Sequence, residues 1–242
     1  MKTQNLDIVI PLKEENDNEE LRYVLRSIAQ NLPHRKVFLA GFTPDWVQNV
    51  ESIQVAIPDG LKYGKSMANT KAACLDSRVS DDFILFNDDF FVMKPVEMIE
   101  PVHRGLVKKF HTLYAQLDTR YHNYRDGIKR VRDILEALGF DDKKVVSYEL
   151  HTPMIFNKAK RLEVYALHDR FPAGDLALHT NTIYGNLFGV GGEYTEDVKY
   201  HGVDDEPDME ASFISSGDES FARGLIGQYV RSKFTEKCKY EK

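Results

Sequence analysis

Cysteine is scarce in this chain: only Cys74 and Cys238 occur among its 242 residues. Two thiols can build neither a framework of several disulfides nor a four-thiolate zinc site, so both of those protein classes are excluded. Hydrophobic residues make up 42% of the chain, which is enough for one buried core. The composition therefore predicts a reduced, globular protein of the cytoplasm.

Long apolar runs are also missing. None approaches the ~20 residues that a membrane-spanning helix needs, and the first residues lack the apolar core of a secretion signal. Basic residues are in the minority, with 32 Lys and Arg against 38 Asp and Glu, which gives a formal net charge of -6. Because a chain of that sign does not attract nucleic acid, we expect no nucleic-acid partner.

In the first hundred residues, short apolar runs alternate with amphipathic stretches. The runs predict four strands, the first of them stopped by Pro11, at 7–11, 36–41, 53–58 and 82–86. Helices are predicted at 18–29, with Asn18 as the N-cap, and at 65–76. This alternation predicts an α/β fold in which helices cover the faces of a mostly parallel central sheet.

The second half of the chain is less regular. Its patterns predict a helical insertion from 103 to about 138, a strand at 144–150, a helix ending near 169 and a mobile loop at 189–208. No internal repeat or linker separates these segments. The chain from 1 to 242 is therefore expected to form a single domain.

The most informative stretch is the apolar run 83–86, which is followed at once by Asn87, Asp88 and Asp89. Open α/β sheets bind their ligands at the carboxyl ends of strands, where these three side chains would lie. Neighbouring carboxylates repel each other unless a cation neutralises them, and Mg²⁺ or Mn²⁺ carrying a diphosphate is one solution. A polar turn after a strand is the other interpretation, and the spacing alone leaves both open.

Two of these features resemble a known family. The start Asp7-Ile-Val-Ile-Pro, together with a strand that closes in Asn-Asp-Asp, is similar to GT-A glycosyltransferases. The resemblance implies a Rossmann-like GT-A fold, a nucleotide-sugar donor and a bound Mn²⁺ or Mg²⁺. It also implies that Asp89 is the metal ligand, assisted by Asp88. Asn87 stands where the first Asp of that family's acidic motif usually stands.

A narrower resemblance covers more motifs. The chain is similar to the second and third conserved regions of Stealth-type capsular polysaccharide phosphotransferases at 20–28, 44–46, 83–91 and 151–154. That family transfers a sugar 1-phosphate from a nucleotide sugar to an acceptor hydroxyl. The resemblance implies that His151 serves the active site. It also favours a role in the site for Arg22 and Arg26. Without it, their spacing on a helix would indicate solvated surface arginines.

These resemblances define three readings of the function. The first is a metal-dependent glycosyltransferase that moves a sugar from a nucleotide sugar, a UDP-sugar by preference, to a surface-glycan or lipid-linked glycan acceptor. The second is a Stealth-type sugar-1-phosphate transferase of capsule synthesis, and the third is a nucleotide-sugar-binding protein without catalysis. In all three, residues 1–100 are the nucleotide-sugar half, and 101–242 are the acceptor half with the insertion at about 103–140.

Further donor contacts are predicted around the strand ends. Pro11 and Lys13, after the first strand, would border the nucleobase and ribose. Lys65 and Asn69, at the start of a helix, suit phosphate or uracil contacts, and a solvated helix face is the alternative for both. Basic and aromatic residues between 103 and 132 fit an anionic acceptor, peripheral contact with the inner face of a membrane, or a wet helix surface.

The remaining candidates are groups that transfer protons or complete a metal shell. An imidazole exchanges protons near neutral pH, which favours His151 as a catalytic residue and leaves His201 as a further metal ligand. An inverting transfer also needs a carboxylate base, for which Asp218 and Glu219 are the candidates and Asp175 is the weaker alternative. A helix N-cap followed by an acid is the competing interpretation of 218–219.

Overall fold

The computed structural model describes residues 2–15, 17–55, 62–116, 122–170 and 176–242. Its strands are β1 (Asp7–Leu12), β2 (Val37–Gly41), β3 (Glu51–Gln54), β4 (Asp82–Leu85), β5 (Phe90–Val92), β6 (Val102–His103), β7 (Met154–Asn157), β8 (Glu193–Tyr194), β9 (Lys199–Tyr200) and β10 (Phe213–Ser216). Its α-helices are α1 (Glu19–Asn31), α2 (Lys62–Leu75), α3 (Val107–Ala115), α4 (His122–Ala137), α5 (Lys158–Arg170), α6 (Thr180–Leu187), α7 (Asp218–Ala222) and α8 (Leu225–Lys233).

The central sheet has five strands in the order β3-β2-β1-β4-β7. β1, β2, β3 and β4 run parallel to one another, and β7 closes one edge antiparallel to β4. The predicted α/β class with a mostly parallel sheet is therefore confirmed. The order places β1 and β4 side by side, so their carboxyl ends lie at the same edge.

Both faces of this sheet are covered, as the alternation along β1 requires. Ile8 and Ile10 belong to one apolar core with α1, whereas Val9 between them belongs to a second core with α2, α4 and α5. Successive side chains of a strand point to opposite faces, which explains this division. Because both faces of the sheet are buried, consecutive residues of β1 are apolar and do not alternate with polar ones.

The prediction that Pro11 stops the first strand is wrong, since β1 continues to Leu12. The N–H of Ile8 donates to the carbonyl of Lys36 beside β2 (2.9 Å). Backbone groups alternate in direction along a strand, so the nitrogens of Val9 and Pro11 face β4 instead. β4 pairs with β1 only as far as Val9. The missing N–H of Pro11 therefore removes no bond from the sheet.

Other boundaries also differ from the sequence predictions. Within the predicted helical stretch from 103 to 138, helix begins only at Val107, because β6 and the residues up to Leu106 precede α3 and α4. Residues 144–150 form no strand and contribute a single bridge, between Val146 and Leu106. The stretch 189–208 contains β8 and β9. Asn18 does occupy the N-cap position, but its amide donates to the carbonyl of Lys13 (3.2 Å) rather than capping the helix.

Arg22 and Arg26 both bind Glu241. Arg26 donates from Nε to Glu241 Oε1 (2.7 Å) and from Nη2 to Oε2 (2.8 Å), and Arg22 Nη1 donates to the same Oε2 (2.9 Å). The Glu241 side chain is fully buried by these contacts. The two arginines therefore anchor the segment after α8 to α1.

A second, three-stranded sheet follows the central one directly, in the order β5-β10-β9. β5 is antiparallel to β10, and β10 is parallel to β9. The chain leaves β4 at Leu85 and enters β5 at Phe90, so Asn87–Asp89 lie in the connection between the two sheets. Within the described residues, no helix is long and apolar enough to cross a membrane.

Candidate functional site

The connection between β4 and β5 is held at both ends. Phe86 N–H donates to the Val9 carbonyl of β1 (2.9 Å), which continues the sheet pairing by one residue. Phe86 and Phe90 are both buried in the core that α1 covers. The three polar residues between them are only partly buried. Burial of the two flanking rings thus places Asn87, Asp88 and Asp89 at the carboxyl edge of the sheet.

Asp89 is paired with groups from the second sheet. Its Oδ2 accepts hydrogen bonds from Lys199 Nζ (2.6 Å) and from Ser215 Oγ (3.2 Å). Both donors reach it because Ser215 of β10 lies opposite Phe90 of β5 and opposite Lys199 of β9. Its other oxygen, Oδ1, is buried and has no hydrogen-bond partner. Only one of the two oxygens of the Asp89 carboxylate is therefore hydrogen-bonded.

Glu20, which was not predicted as a site residue, also belongs to this site. It lies in the first turn of α1, and its Oε1 accepts a hydrogen bond from Ser216 Oγ (2.7 Å). Burial, together with the charges of nearby carboxylates, raises the pKa of Glu20 to about 7, against the effect of that hydrogen bond. Those carboxylates are Asp89, Asp88 and Asp218.

The pKa of Asp88 is raised for similar reasons. Burial raises its pKa to about 6, with a contribution from the charges of Asp89 and Glu15, while Lys199 acts in the opposite direction. The charges of carboxylates from the β4–β5 connection and from the start of α7 thus act on Glu20 of α1, and the Lys199 ammonium lies beside one of them, Asp89. Such crowding of like charges marks a place where a cation or a proton is stabilised.

His151 contacts Phe90, the residue that follows Asp89. Its ring meets the ring of Phe90 edge-on, with centroids 6.2 Å apart. Asp197 holds it through two bonds, from the His151 backbone N–H to Oδ1 (3.0 Å) and between His151 Nδ1 and Oδ2 (2.9 Å). Arg104 Nη1 lies 3.6 Å from the same Oδ2. This orientation leaves His151 Nε2 as the ring nitrogen that is not bound to Asp197.

Asp197 is charged in this arrangement. Burial alone would raise its pKa, but the hydrogen bonds and charge of His151, with the charge of Arg104, outweigh burial and lower it. A carboxylate that holds one nitrogen of an imidazole sets the tautomer and the ring orientation. Neither Asp197 nor Arg104 was predicted as a site residue, since each is distant from His151 in the chain.

Of the remaining predicted residues, some lie beside this cluster and others do not. Asp218 begins α7 beside the cluster, whereas Glu219 turns outward and pairs with Arg223 Nε on the same helix (2.9 Å). His201 lies against Gly217, where an added Cβ would be 3.3 Å from its Nδ1. Burial, Lys199 and His151 lower the pKa of His201. Asp175, the weaker alternative base, falls outside the described residues.

The predicted donor contacts at the strand ends are also mixed. Pro11 lies within β1, and Lys13 is exposed, with its Nζ 3.2 Å from Glu15 Oε1. Asn69 is buried, and its Nδ2 donates to the Leu12 carbonyl at the end of β1 (3.3 Å). Lys65 is half-buried on α2. Their contact with a donor remains a prediction.

The residues present suit a divalent cation in part. Asp88 and Asp89 offer the oxygen ligands that Mg²⁺ and Mn²⁺ prefer, and the buried Asp89 Oδ1 lacks a partner. Lys199, however, already occupies Asp89 Oδ2, and the described part of the chain holds no group of three or more His, Cys, Asp or Glu side chains arranged to bind a metal. The metal, and His201 as its ligand, therefore remain predictions.

Comparison with known proteins adds little to this description. No protein-family model matches the chain, and no match was found among curated proteins. Among solved structures, the chain is similar to the glycosyltransferase GlyE of Streptococcus pneumoniae TIGR4, with 11% identity and a TM-score of 0.37. The match covers 96% of this chain and 50% of that one, so this chain spans about half its length. At that level of similarity, the likeness establishes neither a shared fold nor a shared activity.

Proposed function

We propose that the protein is a glycosyltransferase that binds a UDP-sugar at the carboxyl end of β4 and transfers the sugar to a glycan acceptor. The observation that carries this proposal is the convergence of Glu20, Asp88, Asp89 and Asp218 at one sheet edge. They come from α1, the β4–β5 connection and α7, which are far apart in the chain. Ligands of open α/β sheets bind at this edge.

The electrostatics of the cluster favour a ligand that brings or accepts a cation. Burial, and after it the charges of neighbouring carboxylates, raises the pKa values of Asp88 and Glu20. A bound Mn²⁺ or Mg²⁺ would offset the charge of the departing diphosphate. Asp88 and the free Oδ1 of Asp89 are the groups that would hold it.

Activation of the acceptor hydroxyl falls to His151 in this proposal. Asp197 fixes His151 Nδ1, which leaves Nε2 to take a proton. The side chain is about one-third exposed, so an acceptor can reach it. Asp218 is the carboxylate alternative, because it is exposed beside the same cluster.

The second candidate, transfer of a sugar 1-phosphate, gains support from one observation. Residues 83–91 and 151–154, two of the stretches that carry the narrower resemblance, lie apart in the sequence but come together where Phe90 meets His151. Both reactions would use the same donor and differ in the bond that breaks. Glycosyl transfer releases UDP, whereas sugar-phosphate transfer releases UMP, so analysis of the released nucleotide separates them.

Donor binding is tested first, by thermal-shift screening of UDP-, GDP- and CMP-sugars with and without Mn²⁺. A ligand that binds the folded state raises the melting temperature. Calorimetry of UDP with Mn²⁺ then compares wild type with Asp89→Ala, which is expected to abolish the metal-dependent part of binding. Asp81→Ala is the matched control, because Asp81 is exposed at the opposite end of the same strand. Unchanged UDP titration in Asp89→Ala would refute the proposed site.

A further inference from the structure

Lys199 is fixed in the candidate site by its backbone as well as by its side chain. β9, which carries it, is held beside β10 by hydrogen bonds from Ser215 N–H to the Val198 carbonyl (3.0 Å) and from Gly217 N–H to the Tyr200 carbonyl (2.8 Å). These bonds bracket Lys199 on both sides. The position of its ammonium beside Asp89 is therefore a consequence of the pairing in the second sheet.

The ammonium retains binding capacity in that position. A lysine has three N–H donors, and the bond to Asp89 Oδ2 uses one of them. The Lys199 side chain is 18% exposed, so its tip is neither sealed in the core nor free in solvent. Partial burial strengthens its interaction with an anion relative to a lysine on the open surface.

We propose that Lys199 is a resident cation of the donor site, which binds the diphosphate oxygens of the nucleotide directly and carries a part of donor affinity that needs no divalent metal. This inference rests on the proposed function and deepens it. Asp89 then has two tasks on its two oxygens: Oδ2 orients the ammonium, and Oδ1 stays available to a metal ion. Ser215, which also donates to Oδ2, keeps the carboxylate from turning.

Two variants separate direct binding from a purely structural role. Lys199→Met removes the cation, and UDP affinity measured in EDTA is expected to fall by about tenfold to a hundredfold, the range for hydrogen bonds to charged groups. Asp89→Asn keeps the ammonium, keeps an amide oxygen that can accept its hydrogen bond and removes a competing negative charge, so UDP affinity in EDTA is expected to rise. If Lys199 served only to hold Asp89 in place for a metal, Lys199→Met would leave UDP affinity in EDTA unchanged and would lower only the affinity in Mn²⁺.

The experiment is calorimetry of UDP binding in EDTA and again in Mn²⁺, for wild type, these two variants and Lys199→Arg, which keeps the charge. Lys36→Met is the matched control, because Lys36 also forms an ion pair, with Glu51 (2.7 Å), but at the amino end of the sheet. We expect wild type, Lys199→Arg and Lys36→Met to bind UDP in EDTA. Should Lys199→Met fail to fold, Lys199→Gln, which also removes the cation, takes its place in the comparison with Lys199→Arg.

The outcomes distinguish this inference from the proposed function. If wild type binds UDP only when Mn²⁺ is present, the role of Lys199 is overturned and the donor site survives. Equal affinities of wild type and Lys199→Met in EDTA, or a joint loss in Lys199→Met and Asp89→Asn, would also overturn it. If wild type binds UDP in neither buffer, the donor site itself fails.

Discussion

Neutralising Glu241 is expected to destabilise the protein strongly at neutral pH. Burial alone would raise the pKa of this carboxyl, but hydrogen bonds from Arg26, a backbone N–H and Arg22 outweigh it and lower the pKa to about 2. Against the ordinary value of 4.5, that difference corresponds to about 3 kcal/mol of folding free energy. Glu241→Gln should therefore lower the free energy of unfolding by about 3 kcal/mol at pH 7.

The pH dependence gives this prediction its distinctive signature. A lowered pKa stabilises the folded state fully above about pH 4.5, and that contribution is lost as the pH falls towards about 2. Wild type and Glu241→Gln should therefore converge in stability as the pH falls below about 4.5. Urea unfolding at a series of pH values measures the convergence.

A nearby acid provides the control. Glu236 is exposed in the same segment, and Glu236→Gln should change stability by less than about 0.5 kcal/mol. The reasoning is refuted if Glu241→Gln also unfolds within about 0.5 kcal/mol of wild type at pH 7. A gap between wild type and Glu241→Gln that stays constant from pH 7 to pH 3 would contradict the assigned charge pairing.

The other predictions concern the site. Glu20→Gln should stabilise the protein by about 1–3 kcal/mol at pH 8 and have little effect at pH 4. The reason is that a carboxyl whose pKa is raised to about 7 loses its favourable contribution as the pH rises through that value. Equal stability of wild type and Glu20→Gln at pH 8 would contradict this prediction. His151→Ala should lower kcat by about 10²–10⁴-fold with an unchanged melting temperature, and wild-type turnover would remove His151 from the site. Asp197→Asn should lower kcat while the KM for donor stays constant, and an altered pH profile of kcat would separate orientation of His151 from a general structural defect.

Several elements of the fold were predictable because their causes are local. β4 follows from the apolar run that begins at Phe83, and α1 follows from the spacing of Leu21, Leu25 and Ile28, all of which are buried. The location of Asn87–Asp89 at a strand end follows from the same local pattern. These inferences needed no knowledge of the rest of the chain.

The errors arose where distant pairing decides the outcome. Pro11 is compatible with β1 only because β4 ends early, which nothing near Pro11 indicates. The apolar residues of 144–150 predicted a strand, yet they pack in the core and pair through one bridge at Val146. In both cases, tertiary context overrides the local preference of the chain.

The site was only partly predictable for the same reason. Asp88, Asp89 and His151 stood out by residue type and position, but Lys199 and Asp197 reach them only through the register of β9 and β10. Glu20 was open to inference, since α1 begins close after β1 and its first turn therefore lies at the same sheet edge. Acids are common in the first turn of a helix because they interact favourably with the helix dipole, so the residue type of Glu20 alone does not indicate a site.

We propose that acids at the carboxyl end of β4, together with Lys199, hold the diphosphate of a nucleotide sugar. A crystal structure of the protein soaked with UDP and Mn²⁺ would show whether they do. We predict diphosphate density in contact with Lys199 Nζ and beside Asp88 and Asp89, with any manganese peak on Asp89 Oδ1. Nucleotide bound at another surface, with Asn87–Asp89 unchanged and remote from it, would contradict the claim.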